Sequence, residues 1–122
     1  MNHVALVGTL TRDPELRVLS SGATHLTLNL VTGTGGESVF AFPAPGPVPG
    51  PEARQYHAVV ATGELAVEGG RWLGRRQLVA VTGRLITRAW DDAAGRRFWR
   101  TEVVADRLEI ITPTRQRRVI GA

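Results

Sequence analysis

At 122 residues the chain fits one domain able to bury roughly two-thirds of its unfolded surface, and it is too short for two full cores. It holds no cysteine, which excludes a disulfide framework and a thiolate metal site, and no apolar run approaches the about 18 residues of a membrane-spanning helix. The net charge of +4 is uneven, since residues 1 to 70 carry three arginines against six acids and residues 71 to 122 carry twelve against five. A basic half of this kind suits a polyanionic partner, because neutralising phosphates releases counterions. All fifteen basic residues are arginine, so compositional bias accounts for part of the excess. The start Met1-Asn2-His3-Val4 lacks the basic-then-apolar order of a signal peptide. The default expectation is a soluble intracellular, cytoplasmic protein.

Val4 to Leu10 alternates loosely and reads as a first strand, with Gly8 marking a bulge or sharp bend. Asp13-Pro14-Glu15 and Ser20-Ser21-Gly22 are turn material, and Thr24 to Thr32 alternates again as a second strand. Glycines and the prolines at 43, 45, 47, 49 and 51 make residues 33 to 51 a long loop. Gln55 to Thr62 is a third strand, with Tyr56, Ala58, Val60 and Thr62 on one side. A short helix follows, packed through Leu65, Ala66, Trp72 and Leu73, with Gly69-Gly70 weakening its middle.

The fourth and fifth strands form a long hairpin around Asp91-Asp92-Ala93-Ala94-Gly95. In its first arm a period of two puts Arg84, Ile86, Arg88 and Trp90 on one face and Val79, Val81, Leu85 and Ala89 on the other. The returning arm adds Arg96, Arg97, Phe98, Trp99 and Arg100 and runs towards Ile111, before Pro113 ends regular structure. Guanidinium groups interleaved with flat rings suit unpaired nucleic acid, where arginine holds phosphate and rings stack on uncovered bases. Five strands with one short helix between the third and fourth is the order of an all-β Greek-key barrel of the OB type, although spacing alone leaves other small barrels open. That domain spans residues 1 to 112, and residues 113 to 122 are a short basic tail, expected to be disordered and solvated around Arg115, Arg117 and Arg118.

Met1-Asn2-His3-Val4-Ala5-Leu6-Val7-Gly8, Leu10-Thr11-Arg12-Asp13-Pro14-Glu15-Leu16-Arg17 and Gly22 resemble the opening of bacterial single-stranded DNA-binding proteins. Tyr56-His57-Ala58-Val59-Val60, Gly63-Glu64-Leu65-Ala66, Gly83-Arg84-Leu85, Arg88-Ala89-Trp90 and Thr101-Glu102-Val103-Val104 continue the likeness. The resemblance implies an OB fold that coats unpaired DNA with little sequence preference, in replication, recombination or repair, as a homo-oligomer with a tetramer favoured over a dimer. It implies that Trp90, Arg88 and Tyr56 touch the strand, and that His57, with Val4 and Leu6, belongs near a subunit contact. Ala58 stands where the family usually has a basic residue, and Thr62 where it usually has a ring. The sequence ends at Gly121-Ala122 without the family's acidic recruiting tip, so recruitment of repair enzymes through a tail is not expected.

The expected DNA-binding set is therefore Trp90, Arg88, Tyr56, Arg84, Arg97, Arg100, Phe98 and Trp99, about four phosphates being neutralised per fold for a log-log salt slope near -3. Trp99 has the opposite parity to Phe98, so one of the two is expected to be buried or at a subunit contact. Trp72 reads as core, and Phe40 and Phe42 as loop anchors. His3, His25 and His57 lie on different strands without ligand spacing, so neither metal nor cofactor is expected. No acid, base and nucleophile converge, so no enzymatic activity is expected. Three rival readings stay open: a scaffold that keeps the barrel with weak DNA binding, favoured by Ala58 and Thr62; an RNA binder that reads the 2′-hydroxyl; and a cation-dependent nuclease using Asp91-Asp92.

Overall fold

The computed structural model describes residues 1–33, 54–111 and 117–120. Its elements are β1 (Val4–Leu10), β2 (Glu15–Val18), β3 (Thr24–Thr32), β4 (Gln55–Thr62), α1 (Gly63–Trp72), β5 (Leu78–Asp91), β6 (Arg97–Ile111) and β7 (Arg117–Ile120). The sheet runs β1-β5-β6-β4-β3-β2 and closes because the end of β1 also pairs with β3, Thr9 opposite Val31 and Leu10 opposite Leu30. Pairing is antiparallel except between β4 and β6, where Val59 and Val60 lie beside Val103 and Val104. Strands β1, β3, β4, β5 and β6 make the OB barrel expected from the sequence, with α1 between its third and fourth strands.

Alternation decides what fills the barrel. Leu26, Leu28 and Leu30 of β3 point inward with Leu10, Val59, Ala61, Val79, Val81, Val103 and Leu108. Closure also needs two backbones to approach closely. Gly8 lies against the Val31 carbonyl and Gly83 against that of Val104, where a Cβ would collide with main chain. Gly83 adjoins a bulge in which Thr82 faces Arg107 but Gly83 faces Ala105, leaving Asp106 as the extra residue. The bulge switches the inward parity of β6 from Leu108 to Ala105 and Val103, so the hairpin beyond it can leave the barrel.

Helix α1 seals one end through Ala66 and Gly69, and a Cβ at Gly69 would run into Leu26. The helix-weakening glycine is thus the condition for close docking. Trp72, expected in the core, is 39% exposed, and its indole N–H donates to Glu68 Oε2 at 3.1 Å. It sits at the last helical position, past the face that meets the barrel.

Two short strands escaped the sequence reading. Residues Glu15–Val18, taken partly as turn, form β2 along the outer edge of β3, all four exposed. Within the region expected to be a solvated tail, β7 pairs with β6, and Ile120 is buried in the core. Four-residue strands with one or no inward residue carry too little alternation to be recognised. The proline-rich loop, Phe40, Phe42 and Arg115 lie outside the described residues.

His57 and Thr32 share a 2.9 Å hydrogen bond between imidazole Nε2 and hydroxyl on neighbouring strands. Desolvation lowers the imidazole pKa below the ordinary 6.5, so the native state favours the neutral ring. The unfolded chain therefore binds the proton first as pH falls. The His57 contribution is fully present above pH 6.5 and is lost as acidification passes through the lower native value. Urea melts of wild type and His57→Gln between about pH 8 and pH 5.5 should show the wild type losing more stability on acidification.

Candidate nucleic-acid interface

One outward face crosses the sheet, assembled by register. On β3 it carries His25, Thr27 and Asn29, paired to Arg17 and Glu15 of β2 and to Thr62, Val60 and Ala58 of β4. Directly opposed residues share a face, so Tyr56, opposite Val31, lies on it too and is 71% exposed. Val104 beside Val60 carries the face into β6, whose Glu102, Arg100 and Phe98 oppose Ile86, Arg88 and Trp90 of β5.

The hairpin tip is held by Asp92. Its Oδ1 accepts from the backbone N–H of Ala94 and Arg96 at 2.9 and 2.8 Å, and its Oδ2 accepts from Arg96 Nε at 3.0 Å. Gly95 closes the turn at φ +81°, donating to the Asp92 carbonyl at 3.0 Å. Asp91 instead binds Arg97 Nε at 3.1 Å. Both carboxylates expected of a nuclease thus serve the hairpin, and among the described residues no three His, Cys, Asp or Glu side chains are grouped to hold a metal.

Trp90 and Phe98 stack across the hairpin, with centroids 5.9 Å apart and planes 23° from parallel, and Trp90 remains 48% exposed. The Arg96 guanidinium lies 5.9 Å from the Phe98 centroid. Arg88 and Arg100 both reach Glu102, Arg88 through an ion pair to Oε1 and Arg100 with its Nε 3.5 Å from Oε2. Glu102 is only 3% exposed although it lies on the outward face, because the two arginine side chains cover it. A carboxylate removed from water costs several kcal/mol unless paired; Glu102 has two guanidiniums as ion-pair partners, while its buried Oε1 accepts no hydrogen bond among the described residues. A polar hollow of about 330 Å³ joins Arg12, Glu15, Arg17, His25, Thr27 and Asn29 to this trio. A neighbouring hollow of about 480 Å³ continues from Arg88 and Arg100 to Ala89 and Trp90. The two make one groove, arginine-rich along its length and ending at an open ring.

A family model described as the single-strand binding protein family matches residues 1–111. The chain belongs to this family. A single-stranded DNA-binding protein of Caldanaerobacter subterraneus is 34% identical over 113 residues, covering 93% of this chain and 69% of the relative. Single-stranded DNA-binding protein 2 of Staphylococcus aureus is 34% identical over 116 residues, covering 93% and 75%. The single-stranded DNA binding protein from Thermus aquaticus, solved as a deletion mutant, matches with a TM-score of 0.73 at 29% identity. That match covers 97% of this chain and spans about half, 54%, of the Thermus chain.

Within this family frame the expected residues divide by position. Trp90, Phe98, Arg88, Arg100, Arg84 and Tyr56 share the groove face. Arg97 and Trp99 have the opposite parity and lie on the reverse side of the hairpin, Arg97 bound to Asp91. Trp99 is 66% exposed and Phe98 is also exposed, so neither ring is buried within its own chain. Leu85 and Ala89, expected on an apolar side, are exposed as well, because β5 leaves the barrel beyond Gly83 while Val103, opposite Leu85, still packs in the core. Val4 and Leu6 are half-buried and pack on the core. The sequence reading missed Arg12, Arg17, His25, Thr27 and Asn29 as groove lining, and Glu102 as its anchor. Alternation within β3 already puts His25, Thr27 and Asn29 on one face, whereas the register of β2 on β3 sets Arg17 beside His25 and the turn before β2 adds Arg12; both arginines fall inside the motif that carried the family resemblance.

Proposed function

We propose that the protein binds single-stranded DNA along this groove with little sequence preference, Trp90 and Tyr56 stacking on bases and Arg84, Arg88 and Arg100 contacting phosphates. The observation carrying the proposal is the half-open Trp90 ring, supported from behind by Phe98 and flanked by two guanidiniums. Such a platform accepts every base because every base has a π-face. Coating DNA in replication, recombination or repair is the corresponding role, and the mode of action is binding rather than catalysis. Assembly as a homo-oligomer, a tetramer ahead of a dimer, with contacts near His57, Val4 and Leu6, belongs to the same proposal. Light scattering measures it.

Among the described residues five arginines border the face, Arg12, Arg17, Arg84, Arg88 and Arg100, but Glu15 pairs with Arg17 at 2.8 Å and Glu102 with Arg88 and Arg100. Setting two carboxylates against five guanidiniums leaves a net of three positive charges. A fluorescence titration with oligo-dT at several salt concentrations should give a log-log slope of about -2, shallower than the -3 of four unpaired arginines. A slope near zero would reject the phosphate contacts, and an unchanged tryptophan signal with intact self-assembly would favour the scaffold.

A further inference from the structure

We infer that Glu102 is a positioning residue, a buried anion that holds Arg88 and Arg100 together beside Trp90 so that their outward N–H groups meet phosphate already gathered. The inference rests on the single-stranded DNA reading above and adds how that groove is armed.

Coulomb's law alone would keep a carboxylate off a surface meant for a polyanion. Yet Glu102 points to the groove side of β6, opposite Ile86, with its side chain 2% exposed. It is covered by arginine side chains that are themselves 55% and 50% exposed. Arg88 and Arg100 sit directly opposite each other, where like charges repel, and a shared carboxylate converts that repulsion into a fixed pair. A guanidinium has five donors, and each arginine meets Glu102 through one recorded nitrogen while lining the groove, so further N–H groups stay available to a phosphate. The hollows on either side meet at these two arginines, which puts the pair at the centre of the groove. Without Glu102 both side chains would swing through many rotamers and have to be ordered by the DNA itself.

The opposing possibility is that Glu102 merely neutralises its neighbours, and the two make opposite predictions for Glu102→Gln. This variant raises the net charge of the trio from one to two, so the log-log salt slope should steepen by about 0.7. If Glu102 positions the arginines, the variant should bind fluorescently labelled oligo-dT about fivefold more weakly than wild type at about 0.2 M salt, and the two should converge near 0.02 M. Tighter binding of the variant at about 0.2 M salt, or equal affinity there, overturns the inference. Because Glu102 is buried, far-UV circular dichroism must show the variant folded. Arg88→Lys, at a half-exposed position, supplies an independent arm by keeping the charge and removing the fork. It should weaken binding about threefold with the salt slope unchanged, and wild-type affinity would count against the inference. Failure of wild type to bind oligo-dT would instead remove the single-stranded DNA reading itself.

Discussion

Trp90→Ala should lower affinity for oligo-dT by roughly tenfold to a hundredfold while leaving the salt slope unchanged, since a stacked base is worth about 1 to 3 kcal/mol by alanine substitution. The size follows from position. Trp90 is open enough to receive a base and is backed by Phe98 at 5.9 Å, so one face of the indole is already stacked and the other is left for a base. Removing the indole takes away the platform and leaves Phe98 without its partner. No arginine is touched, so the number of ions released should stay the same. Trp99→Ala provides the contrast. Trp99 is the more exposed ring, but it faces away from Arg88 and Arg100, opposite Ala89 on the reverse side. Its loss should change affinity less than about twofold if the strand follows the groove. Comparable losses at both positions would mean that DNA wraps both sides of the hairpin.

Gly83→Ala should destabilise the fold by about 3 kcal/mol, a large share of the about 5 to 15 kcal/mol available to a domain of this kind. The added methyl group would point into the Val104 carbonyl, with the Ala105 Cα also close, and neither main-chain group can rotate away as a side chain would. Relief requires β5 and β6 to separate at the bulge where the hairpin leaves the barrel. Gly22→Ala distinguishes this steric effect from ordinary glycine chemistry. Gly22 has φ +86° with no atom within 4 Å of a hypothetical Cβ, so the change meets only the left-handed backbone penalty of about 1 kcal/mol. Chemical denaturation of the two variants should therefore rank Gly83→Ala well below Gly22→Ala, and an equal ranking would contradict the packing account.

The groove also explains why a modest net charge suffices. Arginines are concentrated in the second half of the chain, yet many engage carboxylates: Arg96 with Asp92, Arg97 with Asp91, Arg107 with Glu109, and Arg88 and Arg100 with Glu102. Of the five arginines bordering the groove, Arg12 and Arg84 have no ion-pair partner among the described residues. Counting arginines along the sequence therefore overstates the charge presented to a polyanion, which is why the expected salt slope falls once the pairs are known.

Much of the architecture was determined by the sequence alone. The alternating stretches Val4–Leu10, Thr24–Thr32 and Gln55–Thr62 coincide with β1, β3 and β4, because each must bury one side in the barrel and period two records that demand directly. The hairpin and its turn were equally plain, as was the shared face of Arg84, Arg88 and Trp90, which lies within one strand. Tertiary structure decided what depends on a neighbouring strand. The Asp92 turn set Trp90 against Phe98 and Arg88 against Arg100, and the extra residue Asp106 determined which side of β6 turns inward. Pairing of β2 with β3 set Arg17 beside His25 and Glu15 beside Thr27 in the groove. Glu102 is the clearest case: a lone carboxylate in a polar stretch looks like a solvated side chain, and only two arginines folding over it make it the buried anchor of the site. Periodicity reports the burial that one strand requires, whereas partners across strands are set by register, which a single bulge or turn can shift by a residue.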